Sequence, residues 1–287
     1  MQINPVFRKE LKLTMRSSRL PMILLIYNSV LAFITLLVFY TIIENARWTQ
    51  VMDYTAVFLL YMITFVAEGL LLAFIIPALT SNAISGERER QTLDILLTTP
   101  MSPFRIILGK LMSSISIILL LVISSIPVLA IVFAFGGVSL LDVIKVVCYL
   151  VFASVFAGAM SIASSARFKK TTTSTVVSYA GVLGLIVGTV LIVTLGVMVS
   201  TVSPVDAPSV ILGILSMILL VNPGVTVIAL LSGQFSYSDS FPAALRETLN
   251  VPPIVSEHWI VLSIVIQCVL LAAMIWSASA ALGPKRR

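Results

Sequence analysis

The sequence predicts an all-α polytopic membrane protein, and three observations carry that expectation. Hydrophobic residues make up 59% of the 287, mean hydropathy is +1.11 and charged residues are only 10%, where an ordinary soluble domain carries about 25%. Apolar runs long enough to cross a hydrocarbon core recur along the chain. The basic residues fall almost entirely in alternate connecting segments. No soluble core in a chain this short buries that much apolar surface, so soluble enzyme classes are excluded. Six spans leave no room for a large soluble domain, and any energy source must be membrane-borne or brought by a partner.

The first element is residues 4–19, NPVFRKELKLTMRSSR. Asn4 caps a helix with Pro5 at its first position. Phe7, Leu11 and Met15 form an apolar stripe, beside a basic stripe of Arg8, Lys12 and Arg16. That pairing suits an amphipathic helix lying in the membrane interface; the simpler alternative is a basic flank that only sets orientation. No small-residue cleavage site adjoins it, so it reads as retained, with the first span as its own insertion signal.

Spans are expected at about 21–43, 54–80, 108–135, 143–165, 176–200 and 258–282. A further run at 208–232 is interrupted by Asn222-Pro223-Gly224 and splits into pieces too short to cross. With the N-terminus in the cytoplasm, all of the 18 basic residues except Arg47, Lys145 and Arg246 lie inside. A seventh crossing would move Lys285-Arg286-Arg287 outside and spoil that asymmetry. Both ends are therefore expected in the cytoplasm, with the 208–232 run as a re-entrant or interfacial helical hairpin on the outer side. The +6 net charge is then an orientation signal facing anionic lipid, not a nucleic-acid surface.

Within span two, Glu68 is the one acidic residue well inside an apolar run. A mid-depth carboxylate faces a cavity or a partner. It is either a contact in a translocation path or a carboxyl satisfied by neighbouring hydroxyls. In span four, Gly158 sits among small residues, and Gly184 and Gly188 form a GxxxG in span five. Small residues let helices approach closely; packing within the chain is favoured here over a contact between two copies. Cys148 and Cys268 lie in apolar stretches and give no disulfide framework.

The loop between spans two and three, SNAISGERERQTLDILLTTPMSPFRIILGK, is the most informative stretch. Within 85–100, read as a loop and helix, the charge cluster of residues 87–90 is followed by a helical stretch with Leu93, Leu96 and Leu97 on one face and Pro100 as its stop. A turn needs only a few residues, so this helix reads as a docking element for a cytoplasmic partner. A surface helix lying on lipid would favour net positive charge instead.

The string ERERQTLDILLTTPMSPFRIILGK resembles the signature loop of ABC-2-type transporter permeases, exporter membrane subunits of the type V kind. Glu87, Arg88, Glu89, Thr92, Leu93, Leu96, Leu97, Thr99 and Pro100 match that motif, and a Gly-Lys follows at the third span. The sequence departs at Gln91, where the family commonly has Gly. The resemblance implies a non-catalytic exporter subunit that pairs with a second permease subunit as a homodimer or heterodimer. It implies two separate ATPase subunits that hold the ATP and magnesium, with none in this chain. It implies that the loop is a coupling helix, that its leucines bury against the ATPase, and that the chain resides in a prokaryotic cytoplasmic membrane.

Other chemistries lack their residues. Gly109-Lys110 is followed by Leu111, so no phosphate loop forms. The sole histidine, His258, stands alone at a membrane edge, which disfavours metal catalysis and a Ser-His hydrolase. The rival readings are an ion- or proton-coupled secondary transporter, which would want more intramembrane charge or matched broken spans, and a non-transporting assembly factor.

Overall fold

The computed structural model describes residues 7, 8, 10, 12, 17–50, 54–93, 102–134, 139–202, 209–234, 240–249 and 251–282. Among these residues all regular structure is helical, as expected where backbone polar groups must be satisfied within each crossing segment. Six helices are long and apolar enough to cross a membrane. Spans one to four are Arg19–Thr49, Tyr54–Thr80, Pro103–Ala134 and Leu140–Arg167. Span five consists of Thr171–Leu183, a π-helical stretch Gly184–Gly188, and Thr189–Val202. Span six is Trp259–Leu282.

Several helices outrun the apolar stretches that announce them. Span one starts at Arg19 and runs past Glu44 to Thr49, and span three starts at Pro103. Hydropathy marks what lies in hydrocarbon, whereas helix ends are set by caps and proline. At span three the Ser102 carbonyl accepts from the amides of Arg105 and Ile106, with Pro103 at the first position.

Span four is the hub, packing against spans two, three, five and six. Its C-terminal half is built of small residues, with Ser154, Ala157, Gly158, Ala159, Ser161 and Ala163 all buried. They allow four neighbours to approach one axis. Spans one, two and three form a second contact group around Tyr27, Leu31, Leu72, Ile76, Ile118 and Leu121.

The interrupted run becomes two short helices. Ser209–Ile218, extended by a 3-10 turn at Leu219–Val221, meets Pro223–Ser232 at 93°. Two more short helices, Ser240–Leu249 and Pro253–Glu257, lead into span six. Phe7, Arg8, Glu10 and Lys12 are helical. Leu11 and Arg16, and in the loop Leu96, Leu97, Thr99 and Pro100, lie outside the described residues.

Candidate functional site

The charge cluster after span two is itself helical. Ser85–Glu89 form a short helix that ends at Arg90, and the chain breaks at Gln91 with φ of 58°. This left-handed conformation is strained for a residue with a Cβ. Glycine adopts it freely, which explains physically why the motif commonly has glycine there. Thr92 closes the turn: its amide donates to the Glu87 carbonyl at 2.9 Å, and its hydroxyl donates to the Glu87 carboxylate.

Each charged side chain of 87–89 reaches a different element. Lys110, at the start of span three, is only 5% exposed and lies 3.5 Å from Glu87 and 3.0 Å from Glu10 of the N-terminal segment. One nearly buried cation thus joins three parts of the chain. Arg88 donates to the carbonyls of Ala166 and Phe168, both at 3.1 Å, and so caps the end of span four. Glu89 accepts from the Thr171 amide at 2.8 Å and its hydroxyl at 2.9 Å, and so caps the start of span five. A cation at a helix C-terminus and a carboxylate at an N-terminus are the signs the helix dipole favours. The donors from Thr171 hold the exposed Glu89 carboxyl below its ordinary range.

Hydroxyls complete the joint. The Ser165 hydroxyl accepts from the amides of Ile84 and Ser85, each at 3.0 Å. Ser174 donates to the Ser81 carbonyl, Ser81 bonds Thr175, and Ser164 bonds Ser178. The bonds of Ser165 and Ser174 satisfy the backbone where span two gives way to the loop, and the hydroxyl pairs tie spans two and four to span five.

One placement differs from the sequence reading. Leu93 is 6% exposed and packs inside the chain with Ile84, Ile107, Leu111, Ile162 and Leu282. The break at Gln91 turns the chain back, so that Leu93 joins this core cluster of spans three, four and six. The rim charges are likewise spent on the chain itself, at Arg88 and Glu89.

The second polar cluster surrounds the bend at Asn222, whose side chain is fully buried. Its Oδ1 accepts from the Gly224 and Val225 amides and caps the second arm. Its Nδ2 donates to the Ile186 carbonyl at 2.9 Å and to Thr189 Oγ1 at 2.7 Å, within and next to the π-helical stretch of span five. Gln267 of span six donates to Ser263 at 3.0 Å and accepts from the Tyr149 hydroxyl at 2.8 Å. Ser263 donates to the Leu220 carbonyl at 2.6 Å. Neutral amides and hydroxyls thus re-satisfy the broken backbone. Asn222, as a side chain, and Gln267 are not among the candidates drawn from the sequence, since neither is ionisable. The available signals were Asn-Pro, a cap followed by a first-position proline, and a glutamine in an apolar run.

Glu68 is fully buried between spans one, two and three. Tyr27 donates to its Oε1 at 3.1 Å and Ser125 at 2.7 Å, while its Oε2 has no partner among the described residues. Gly158 packs closely, a Cβ there meeting Ile76 at 3.6 Å and Leu111 at 3.8 Å. At Gly184 and Gly188 a Cβ would meet nothing within 4 Å. These two glycines bound the π-helical stretch and close no contact between spans among the described residues.

The ABC-2 family transporter protein profile matches residues 4–278. No curated protein matches the sequence closely enough to count as a relative. With the match running through all six apolar helices and the loop between spans two and three, the chain belongs to the ABC-2 transporter family, as the multi-pass permease subunit, generally the non-catalytic one, of an ABC transporter that associates with ABC ATPase subunits.

Proposed function

We propose that this permease is one of two membrane subunits that together form the path of an exporter, in a homodimer or heterodimer. Two separate ATPase subunits, holding ATP and magnesium, drive it from the cytoplasmic side of a prokaryotic cytoplasmic membrane. Both termini and the 81–110 loop face those subunits. The N-terminal helix lies in the interface on the same side, and the 208–232 hairpin re-enters from the outer side. Docking falls to the later part of the loop, with Leu96 and Leu97 as its apolar face and Thr99 and Pro100 as its end.

The observation that carries this reading is the set of ties from Glu87, Arg88 and Glu89 to Lys110, to the end of span four and to the start of span five. A push on the loop is delivered to three spans and the N-terminal segment together. A carrier without a partner has no use for such a joint. Glu68 belongs in this reading to the joint of spans one to three, whose relative position its hydroxyl partners fix.

Co-expression with candidate ATPase subunits, followed by purification and vanadate-sensitive ATP hydrolysis in liposomes, tests it. The ATPase is expected to co-purify with the parent chain and to be lost from a Leu96→Asp, Leu97→Asp double variant. Arg88→Ala should retain the partner yet alter the hydrolysis rate. Failure of every candidate ATPase to co-purify would refute the reading.

A further inference from the structure

Two buried acceptors in the polar joint of spans one to three lack donors. Tyr27 and Ser125 both donate to Oε1 of Glu68, and Oε2 receives nothing among the described residues. Ser125 shares its one hydrogen with the Val122 carbonyl, so the carboxyl as a whole is thinly supplied. One residue on along span one and one residue back on span three, Asn28 Nδ2 donates to Ser124 Oγ and to the Leu24 carbonyl, each at 2.9 Å. A carbonyl can only accept, so the Leu24 bond fixes which way the amide faces. Asn28 Oδ1 is the other end of that amide, and it too is buried without a donor.

An ionised carboxylate does not fit these surroundings. Glu68 is fully buried, and a charge within an apolar span demands a partner. Among the described residues no cation pairs with it, and Tyr27 is the one titratable side chain that bonds it. On the spans packed around it, Arg47 is taken by Glu44, Lys110 by Glu10 and Glu87, and Lys145 by Asp142. Arg19 and Arg105 lie in the first turns of their helices, and Arg167 ends span four. One hydrogen on Oε2 resolves both vacancies: it turns an empty acceptor into a donor, and Asn28 Oδ1 is a buried acceptor in want of one. On Oε1 it would compete with Tyr27 and Ser125 and leave both atoms open.

We propose that Glu68 is a proton-binding site within the spans. The bound proton sits on Oε2 and is donated toward Asn28 Oδ1, so that one bond between spans one and two exists only in the protonated chain. The site lies within one subunit and its test needs no ATPase. It therefore stands or falls separately from the coupling reading.

Infrared difference spectra of the purified chain in nanodiscs, parent minus Glu68→Gln, read this carboxyl directly. An ordinary carboxyl is ionised at about pH 7. The parent should nevertheless show a protonated-carboxyl carbonyl band at that pH, lost in Glu68→Gln and shifted in Asn28→Leu. Glu68→Gln keeps the shape and puts a permanent N–H donor in place of the bound hydrogen, which guards against a variant that fails to fold. The thermal midpoint of the parent should fall relative to Glu68→Gln as pH rises from about 5 to about 8, because the folded chain then holds a proton that the unfolded chain gives up. An absent band, or one that Asn28→Leu leaves unmoved, overturns the proposal. So does a parent that gains midpoint relative to Glu68→Gln over that range, the mark of an ionised carboxylate. A band present in potassium buffer and lost in sodium also overturns it, since the ligand is then a metal cation.

Discussion

The chain interrupts helices at two places that must still be held firmly, and it holds them by opposite means. At the loop after span two, the ties are charged: Lys110 between Glu10 and Glu87, Arg88 on the end of span four and Glu89 on the start of span five. At the bend after Val221, they are neutral: Asn222 on Gly224, Ile186 and Thr189, and Gln267 with Ser263 and Tyr149. The difference follows from depth. Glu89 is exposed, so charge there costs little and gains from the helix dipoles. Asn222 bonds span five near its middle and is fully buried, and a charge at such depth costs about 3 kcal/mol. An amide supplies donor and acceptor without that penalty.

Giving the bend a charge should break the contrast most severely. Asn222→Asp keeps the helix cap but loses both donations to span five and buries a carboxylate. It should destabilise the protein by about 4 kcal/mol, read as a fall in thermal midpoint in nanodiscs, with Asn222→Ser much milder. Next, Lys110→Met removes the cation between two carboxylates. The expected loss is about 2 kcal/mol, less than for a closed buried pair because Glu10 and Glu87 are 29% and 25% exposed, and Lys110→Arg should restore part of it. Gln91→Gly acts the other way, relieving the positive φ and stabilising the loop by about 1 kcal/mol, measurable as slower proteolysis between spans two and three.

The smallest effect is one of pH. Glu89 has its carboxyl held below the ordinary value of 4.5, so its contribution is present above that value and is lost as pH falls through the lowered one. The midpoint of the parent should drop on acidification below about pH 4.5 by more than that of Glu89→Gln. Equal slopes for the two would remove the Glu89 cap from the account. No such difference is expected between Asn222→Ser and the parent, since no carboxylate takes part in the bend's hydrogen bonds among the described residues.

Much of this molecule was legible in the sequence because hydrocarbon allows few solutions. Apolar runs located the six spans, Asn222-Pro223-Gly224 located the break, and the 87–100 motif pointed to the family. The site was legible only as a set of residue types. Arg88 and Glu89 looked like a rim for a partner, and Leu93 like part of an apolar docking face, because side chains in a short loop helix carry no mark of which neighbour will reach them. Lys110 stood out only as the end of a loop.

Composition and pattern by themselves determined that the chain is helical, with six helices long and apolar enough to cross a membrane and one interrupted apolar run, since the transfer of apolar residues and the satisfaction of backbone groups are local matters. Only the tertiary structure decided which charge meets which helix end, that Asn222 donates to the π-helical stretch of span five, and that Leu93 packs in the core. Those are contacts between residues far apart in sequence, from Arg88 to Ala166 and from Lys110 to Glu10, and the first of them rests on the small residues along span four that let its neighbours approach.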